Sequence, residues 1–407
     1  MPTMISRVLL IVLCGVSAVL GQSQYMGMNI AGFDFGCATN GSCDFSTMLP
    51  PLTKLGGSDG AAQMQHFLDD DQMNTFRLPV PWQYLTANVM GGDLDPTNFG
   101  KYDQLMQTCL NTTAYCIIDL HNYGRWNDLV IGQSAGAPTN DQFAALWAAL
   151  ATKYKDEPKV IFGIMNEPHD LDIVEWAATV QAAVTAIRKA GATTQMILLP
   201  GTNFSCAVTF ITTGSAAALM SVVNLDGTTT NLVYDVHQYL DFDNSGTHST
   251  CSVNTTAGFA ELASWLRNNT RQAVVGETGA GSDSSCLEYF CAQNTVIQEN
   301  SDVFIGFFGW AAGSFATDYV LSMTPSRATN GKWTDNTLVS ECVIAPWLVN
   351  NTAAAAKYSS ALTAIPTATS SGASSTSTKK GDAGSVRVAR RGIEVVVGIT
   401  VIFNVII

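Results

Sequence analysis

Two glutamates stand where short apolar runs of the sequence end. Glu167 lies in Ile-Met-Asn-Glu-Pro, and Glu277 lies 110 positions later in Val-Val-Gly-Glu-Thr-Gly. Paired carboxyl groups suit glycoside cleavage, because one protonates the leaving oxygen while the other attacks the anomeric carbon. With retention of configuration, this chemistry needs the two groups about 5–5.5 Å apart. The pattern predicts Glu167 as the acid/base and Glu277 as the nucleophile.

Further polar and aromatic residues lie at the ends of other apolar runs. Each alone has an ordinary structural explanation, but buried polar groups are costly unless they are satisfied, so their collection at strand ends indicates a site. We expect Asn166 to reach the sugar 2-hydroxyl, Arg77 to hold the nucleophile ionised, and Trp310 to face a pyranose ring. The full set of candidate substrate-binding residues is Arg77, His121, Asn122, Asn166, His237, Tyr239 and Trp310.

The elements that must position these residues alternate between buried strands and amphipathic helices. Strands are expected at Met26–Phe33, Thr75–Pro79, Tyr115–Leu120, Val160–Met165, Gln195–Pro200, Leu232–Val236, Ala273–Gly276 and Val303–Gly309. Helices are expected at Asp141–Tyr154, Asp172–Ala190 and Phe259–Asn268. Eight strands separated by helices predict an α/β fold, a (β/α)₈ TIM barrel over residues 22–348 as a single catalytic domain. An open doubly wound sheet fits the same alternation, but no Gly-x-Gly-x-x-Gly follows the first strand.

Composition narrows the class of partner. The formal net charge is -13 and only 13% of residues are charged, without a Lys/Arg cluster that could neutralise phosphates. Nucleic acid is therefore excluded, an anionic polysaccharide would be repelled, and a neutral glycan suits the surface better. Neither an HExxH motif nor a CxxC pair with zinc spacing occurs, so no metal and no cofactor is expected. We expect a monomer.

The N-terminus predicts export. Arg7 precedes the apolar run from Val8 to Leu20 and the small Gly21, the order of a secretory signal peptide over residues 1–21. An oxidising compartment allows the cysteines to pair. Cys37/Cys43 and Cys109/Cys116 suggest short loops, and Cys251, Cys286, Cys291 and Cys342 could form two longer bridges, which leaves Cys206 free. Six glycosylation sequons begin at Asn40, Asn111, Asn203, Asn254, Asn268 and Asn350.

The C-terminus changes in character after the barrel. Residues 349–380 are rich in Ser, Thr and Ala and are interpreted as a stalk or linker. Residues 381–407 begin with small residues, continue through a polar spacer and end in the apolar run Val395 to Ile407, the order of a signal for glycosylphosphatidylinositol (GPI) attachment that is removed. Thirteen residues make a helix of about 20 Å, too short for the hydrocarbon core, so a transmembrane anchor is the weaker interpretation.

Six sequence blocks together resemble a known family. Phe-Arg-Leu-Pro (76–79), Asp-Leu-His-Asn-Tyr (119–123), Met-Asn-Glu-Pro-His (165–169), Val-His-Gln-Tyr (236–239), Glu-Thr-Gly (277–279) and Gly-Trp (309–310) follow in order. They resemble glycoside hydrolase family 5, most closely its fungal endo-β-1,4-glucanases, from about Tyr25 to Trp347. The resemblance implies the roles given above for Glu167 and Glu277, a subsite shaped by the polar residues, and Trp310 stacked on the sugar.

The resemblance also implies four disulfide bonds, expected as Cys37–Cys43, Cys109–Cys116, Cys251–Cys286 and Cys291–Cys342. The chain departs from the family's best-known fungal pattern in having the anchor-like tail and no cysteine-rich cellulose-binding module, which argues against crystalline cellulose. The predicted function is a retaining endo-β-1,4-glucanase, cellulase-like, acting on neutral β-glucan at the cell surface. The alternatives are an enzyme for mannan, mixed-linkage glucan or cell-wall glucan, and an inactive wall-anchored binding glycoprotein.

Overall fold

Eight parallel strands close into a barrel in the computed structural model, which describes residues 23–52 and 59–349. In chain order they are β1 (Tyr25–Ala31), β2 (Thr75–Val80), β3 (Tyr115–Leu120), β4 (Val160–Gly163), β5 (Ile197–Pro200), β6 (Leu232–Tyr239), β7 (Ala273–Gly279) and β8 (Phe304–Gly313). Each pairs with its sequence neighbours, and β8 pairs with β1. The predicted barrel is confirmed. The open-sheet alternative is wrong, because the ring has no free edge.

In the described part of the chain, six helices of ten or more residues surround the barrel: α1 (Gly60–Asp69), α2 (Pro96–Asn111), α3 (Asn140–Tyr154), α4 (Ile173–Lys189), α5 (Thr256–Asn268) and α6 (Ser284–Glu299). Their first residues follow from capping chemistry. Thr139 forms a capping box with Gln142 at the start of α3, and the Asp172 carboxylate accepts from two amides at the start of α4.

Short elements complete the described fold. The β5–β6 connection has only the turns Ala207–Thr209, Ser215–Ala218 and Leu219–Ser221 in place of a long helix. The other short helices are Trp82–Leu85, Val339–Ile344 and Ala345–Val349, and the two small hairpins pair Arg125–Trp126 with Leu129–Val130 and Ser326–Arg327 with Trp333–Thr334.

The barrel strands divide their side chains between two cores. On β3, Cys116, Ile118 and Leu120 pack outward under the helices, whereas Ile117 packs inside the barrel. The inner cluster takes Ile161, Leu198, Val233, Val274, Ile305 and Phe308 from the other strands. Since side chains alternate along a strand, the inward row of β3 continues from Ile117 to Asp119 and His121. Because the same inward row carries both kinds of residue, apolar side chains fill one end of the barrel interior and polar side chains face the other end.

An irregularity in β7 re-aims Glu277. Val275 faces the outer core, so strict alternation would turn Glu277 outward as well. The register with β6 shifts between Val236, which pairs with Val275, and His237, which pairs with Glu277. Gly276 is left as the extra residue, and an added Cβ there would lie 2.0 Å from the Asp235 carboxylate. A bulge at this glycine brings Glu277 to the inward row.

Four disulfide bonds are present among the described residues: Cys37–Cys43, Cys109–Cys116, Cys251–Cys286 and Cys291–Cys342. Cys206 is free and buried. Between residues 23 and 349, outside the gap at 53–58, no helix combines the length and apolar character needed to cross a bilayer. The predicted signal peptide, the predicted GPI signal, the predicted stalk apart from Val349 and the sequon at Asn350 lie outside the described residues.

Candidate active site

Arg77 is the centre of the polar network at the C-terminal ends of the strands. Its guanidinium is fully buried and donates to Glu277 Oε1 at 2.5 Å, to Asn29 Oδ1 at 2.7 Å and to Asn166 Oδ1 at 2.8 Å. It also lies 2.8 Å from Asp119 Oδ1. Burial lowers the pKa of Arg77, but the surrounding carboxylates raise it by more, so the charge is permanent. Arg77 thus links four strand ends through one rigid cation.

His121 closes a ring with Arg77, Asp119 and Asn166. Its Nδ1 is 2.7 Å from Asp119 Oδ2, and its Nε2 is 3.2 Å from the Asn166 amide nitrogen. Burial lowers the pKa of His121 and Asp119 raises it by more. A protonated ring, however, would turn an N–H toward the amide nitrogen, because the Asn166 oxygen already accepts from Arg77. The hydrogen-bond geometry therefore favours the neutral ring with its proton on Nδ1.

Glu277 is buried and held at both oxygens. Oε1 accepts from Arg77, and Oε2 accepts from the Tyr239 hydroxyl at 3.0 Å. Burial raises the pKa of this carboxyl group, and Arg77 and His237 lower it without offsetting the burial. Two donors fix the direction in which the carboxylate points, which suits a group that must attack along one line.

Glu167 faces Glu277 across His237. Its side chain is 14% exposed, and Oε1 lies 2.9 Å from His237 Nδ1, which is itself 3.5 Å from Glu277 Oε2. Burial lowers the pKa of His237, but Glu277, Asp235 and Glu167 raise it to about 10. The backbone of Glu167 has a φ of 44°, which is a left-handed conformation. This conformation costs free energy for residues other than glycine, and the surrounding structure holds it here. Carboxylate oxygens of Glu167 and Glu277 lie within 4.8 Å of one another.

The aromatic residues close one side of this centre. Trp310 lies nearly parallel to the His121 ring, with centroids 5.6 Å apart and an interplanar angle of 13°. It packs with Tyr239, Ala31 and Leu321, and its peptide bond to Ala311 is cis. Trp310 is 8% exposed, so its indole borders the centre rather than projecting from it.

Asn122 does not join the other candidates. Its oxygen accepts from the Trp82 amide at 2.6 Å, its nitrogen donates to Gln83 Oε1 at 2.5 Å, and the side chain is fully buried. Both polar ends are engaged by the segment that follows β2, and no hydrogen bond among the described residues joins the Asn122 side chain to the two glutamates or their partners. The other six candidate binding residues do lie around the two glutamates.

Three members of the network were not among the sequence candidates. Asn29 accepts from Arg77 and donates to the carbonyls of Gly276 and Gly309, so it ties β1 to β7 and β8. Asp119 holds both Arg77 and His121. Asp235 lies 3.7 Å from His237 Nε2. For Asp119 and Asp235, the sequence did contain a signal. Each lies two residues before a candidate histidine, His121 or His237, and side chains two residues apart on a strand face the same way.

The centre is a poor metal site. Glu167, His237 and Glu277 each offer a ligand atom within 4.8 Å of the others. Glu277 already accepts from the permanent cation of Arg77, and a divalent cation would have to displace it. Among the described residues, His66–Asp71–Asp335 and Asp241–Asp243–His248 also group metal-binding atoms.

A closed (β/α)₈ barrel with two facing glutamates at its strand ends defines the class of barrel glycoside hydrolases. The chain belongs to glycoside hydrolase family 5. Residues 31–315 match the model of the family described as cellulase (glycosyl hydrolase family 5).

The relatives agree with this assignment. Endoglucanase EG-II of Hypocrea jecorina is 56% identical over 325 residues, which cover 79% of this chain and 77% of that protein. Endoglucanase 1 of Saitozyma flava is 45% identical over 327 residues, 79% of this chain and 92% of that one. The crystal structure of Cel5A (EG2) from Hypocrea jecorina (Trichoderma reesei) superposes with a TM-score of 0.77 at 55% identity, covering 80% of this chain and 99% of that one.

Proposed function

We propose that this protein is an endo-β-1,4-glucanase that cleaves internal bonds of neutral β-glucans with retention of configuration. The observation that carries the proposal is the approach of the Glu167 and Glu277 carboxylate oxygens to within 4.8 Å. Retaining enzymes need their carboxyl groups about 5–5.5 Å apart, whereas inverting enzymes need about 6.5–9.5 Å to admit a water molecule. The endoglucanase names of the relatives support cleavage at internal bonds of a glucan.

In the proposed reaction, Glu277 attacks the anomeric carbon and forms a glycosyl ester as the glycosidic C–O bond breaks. Glu167 gives its proton to the leaving oxygen and then takes a proton from the water that hydrolyses the ester. Arg77 and Tyr239 orient the nucleophile and favour its ionised form. His237 lies between the two glutamates, where it can stabilise the negative charge that Glu167 acquires when it gives up its proton.

Asn166 and Trp310 are the proposed contacts for the sugar. The Asn166 amide nitrogen has two hydrogens and uses one toward His121, so the other is available to a sugar hydroxyl. Trp310 offers an apolar border beside the centre, where a pyranose ring could pack. Asn122 is proposed only as a support for the segment after β2.

Exchanging the two glutamates for glutamine tests the assignment. Glu167→Gln should slow turnover by several orders of magnitude on glucan, but much less on aryl glycosides whose leaving groups need no proton. Glu277→Gln should abolish turnover for every leaving group, because the ester cannot form. Proton NMR of the first product should show retained configuration. Near wild-type rates in either variant, or an inverted product, would contradict the proposal.

The glycan preference is tested separately. Initial rates on hydroxyethylcellulose (a neutral, soluble cellulose derivative), mannan, laminarin and mixed-linkage glucan should be highest on hydroxyethylcellulose, with a rapid fall in viscosity as internal bonds break. A higher rate on mannan, laminarin or mixed-linkage glucan would favour the alternative of another neutral β-glycan. No hydrolysis of any of the four would favour a binding glycoprotein.

The protein is further proposed to be exported and held at the cell surface. The basis is the sequence order of residues 1–21 and 381–407 alone. The likeliest attachment positions in that order are Gly381, Asp382, Ala383 and Gly384, since small side chains there leave a polar spacer before the apolar end.

A further inference from the structure

A second cluster of ionisable side chains lies away from the paired glutamates. His66 is on α1, Asp71 is in the turn that leads into β2, and Asp335 follows the small strand Trp333–Thr334. Asp71 precedes the N-terminal end of β2, whereas Arg77 and the glutamates meet at the C-terminal ends of the strands. The cluster therefore has no part in the reaction proposed above.

The cluster converges on one nitrogen of His66. Nε2 lies 3.1 Å from Asp335 Oδ1 and 3.6 Å from Asp71 Oδ2. The side chains of His66, Asp71 and Asp335 are 3%, 4% and 10% exposed. One ligand atom from each lies within 4.8 Å of the others. This is a compact and nearly dry group of three donors.

The cluster holds more negative than positive charge. Asp70 adds a third carboxylate, 2.8 Å from His66 Nδ1, so that even a protonated imidazole leaves an excess of anions. Asp71 Oδ2 is buried, has no hydrogen-bond partner and is directed at the imidazole. A buried, unpaired carboxylate is costly, so the group must gain a cation, either a proton or a metal ion.

The orientation of the imidazole allows a metal ion to bind in place of a proton. Nδ1 can keep its proton toward Asp70 while an ion replaces the proton that Nε2 shares with Asp335 Oδ1 at 3.1 Å, which gives the carboxylate–histidine–metal arrangement of many sites. Trp333 stacks on the imidazole, with centroids 5.5 Å apart and planes within 19°, and fixes its plane. One imidazole and two carboxylates suit Mn²⁺ or Zn²⁺.

We propose that His66, Asp71 and Asp335 bind one divalent cation of the Mn²⁺ or Zn²⁺ class. The ion would tie α1 and the entry to β2 to the segment that follows β8, since Asp335 comes from that segment. Binding to the folded chain alone raises its stability in proportion to the logarithm of the free ion concentration. The site would therefore act as a structural clamp.

Metal uptake by the untagged, full-length protein tests the proposal. After EDTA treatment and dialysis at pH 7.5, free Mn²⁺ is titrated by electron paramagnetic resonance, and bound Zn²⁺ is counted by mass spectrometry after gel filtration. We expect one ion per chain, a Tm that rises with free metal, and nitrogen coupling from one imidazole to bound Mn²⁺. Uptake should weaken as the pH falls toward 6, because protons compete for the ligands.

Variants locate the ion. Asp71→Asn and Asp335→Asn should each abolish uptake and the metal-dependent rise in Tm, while Asp243→Asn, from the more exposed Asp241–Asp243–His248 group, should retain both. Less than stoichiometric uptake by the wild type, or bound Mn²⁺ without nitrogen coupling, overturns the proposal and leaves a proton as the cation. These two results do not depend on how the variants fold. Full uptake by Asp71→Asn would also overturn it, since the ion would then lie elsewhere.

Discussion

Single side chains in this centre are held by partners that also tune their acidity. Glu277 accepts from both Arg77 and Tyr239, and burial still raises its pKa. From the sequence, the nucleophile was expected to be the readily ionised member of the pair. The structure instead leaves the side chain of Glu277, the proposed nucleophile, only 4% exposed, whereas that of Glu167 is 14% exposed. A buried carboxylate needs its donors to remain ionised at working pH, and this makes Tyr239 an informative position.

Tyr239→Phe should move the acid limb of the kcat/KM profile to higher pH by about half to one unit. Glu277 must be ionised to attack, so activity falls as the pH drops through its pKa. Removing a donor to the carboxylate disfavours the ionised form and raises that pKa further. A pH series on a soluble glucan measures the shift.

Tyr234→Phe is the matched control, because Tyr234 lies on the same strand but packs in the outer core, where its hydroxyl donates to the Ala216 carbonyl. That variant should keep the wild-type acid limb. An unmoved limb in Tyr239→Phe would show that Tyr239 has no influence on the ionisation of Glu277.

Among the elements, β1 and β2 approach each other closely at Gly27. A Cβ added at Gly27 would lie 1.5 Å from the Thr75 carbonyl oxygen, which is backbone and cannot rotate away. The absence of a side chain there lets the two strands pair and brings Asn29 beside Arg77. Glycine in a strand is unfavourable in isolation, so its presence here reflects tertiary packing.

Gly27→Ala should therefore destabilise the barrel by several kcal/mol or prevent folding, as an overpacked core with backbone shifts does. Gly100→Ala is the opposite case, because nothing lies within 4 Å of an added Cβ on α2. Alanine in a helix interior should stabilise by about 0.5–1 kcal/mol. Urea unfolding of both variants compares them. Equal stability of Gly27→Ala and wild type would contradict the packing argument.

At the scale of the whole molecule, disulfide bonds join segments that are separated in the sequence. Cys291–Cys342 closes 51 positions and joins α6 to the segment after β8, whereas Cys109–Cys116 closes only 7. In the chain-entropy account, the cost of removing a bridge grows with the loop that it closes.

Replacing both cysteines of Cys291–Cys342 by alanine should cost about 4 kcal/mol, against about 2 kcal/mol for the same change at Cys109–Cys116. Denaturant unfolding measures both losses. A larger loss of stability from the shorter bridge would show that local contacts, not loop closure, set the effect.

In the intact protein, Cys206 should react with a thiol reagent only after unfolding, because it is 4% exposed.

The proposed GPI anchor also concerns the whole molecule, and it can be tested on whole cells. Phosphatidylinositol-specific phospholipase C, or glucanase digestion of the wall, should release active enzyme. Ending the chain after Thr378 should send all activity into the medium at unchanged specific activity, because the barrel contributes nothing to attachment. Mass spectrometry of the native protein should find no chain ending at Ile407, and an unmodified Ile407 terminus would contradict the anchor.

The sequence alone determined the strand count, the approximate bounds of every barrel strand, and most of the residues that gather at the strand ends. These features follow from short-range rules. A buried strand appears in the sequence as an apolar run, and polar residues collected at the ends of such runs indicate a site because burying them for packing alone is costly. On β2 and β3, regular alternation was enough to place Arg77 and His121 on inward rows.

Tertiary structure decided what depends on contacts between distant segments. The direction of Glu277 depends on a bulge whose register is set by β6, and strict alternation would have turned it outward. Asn122 is adjacent to His121 in sequence, yet its side chain forms hydrogen bonds with Trp82 and Gln83 and not with the groups around the glutamates. Asn29 became a support of Arg77 only through the pairing of β1 with β2, in which the two residues lie opposite each other. Which buried group a polar side chain satisfies is settled by packing partners, and a local pattern does not contain them.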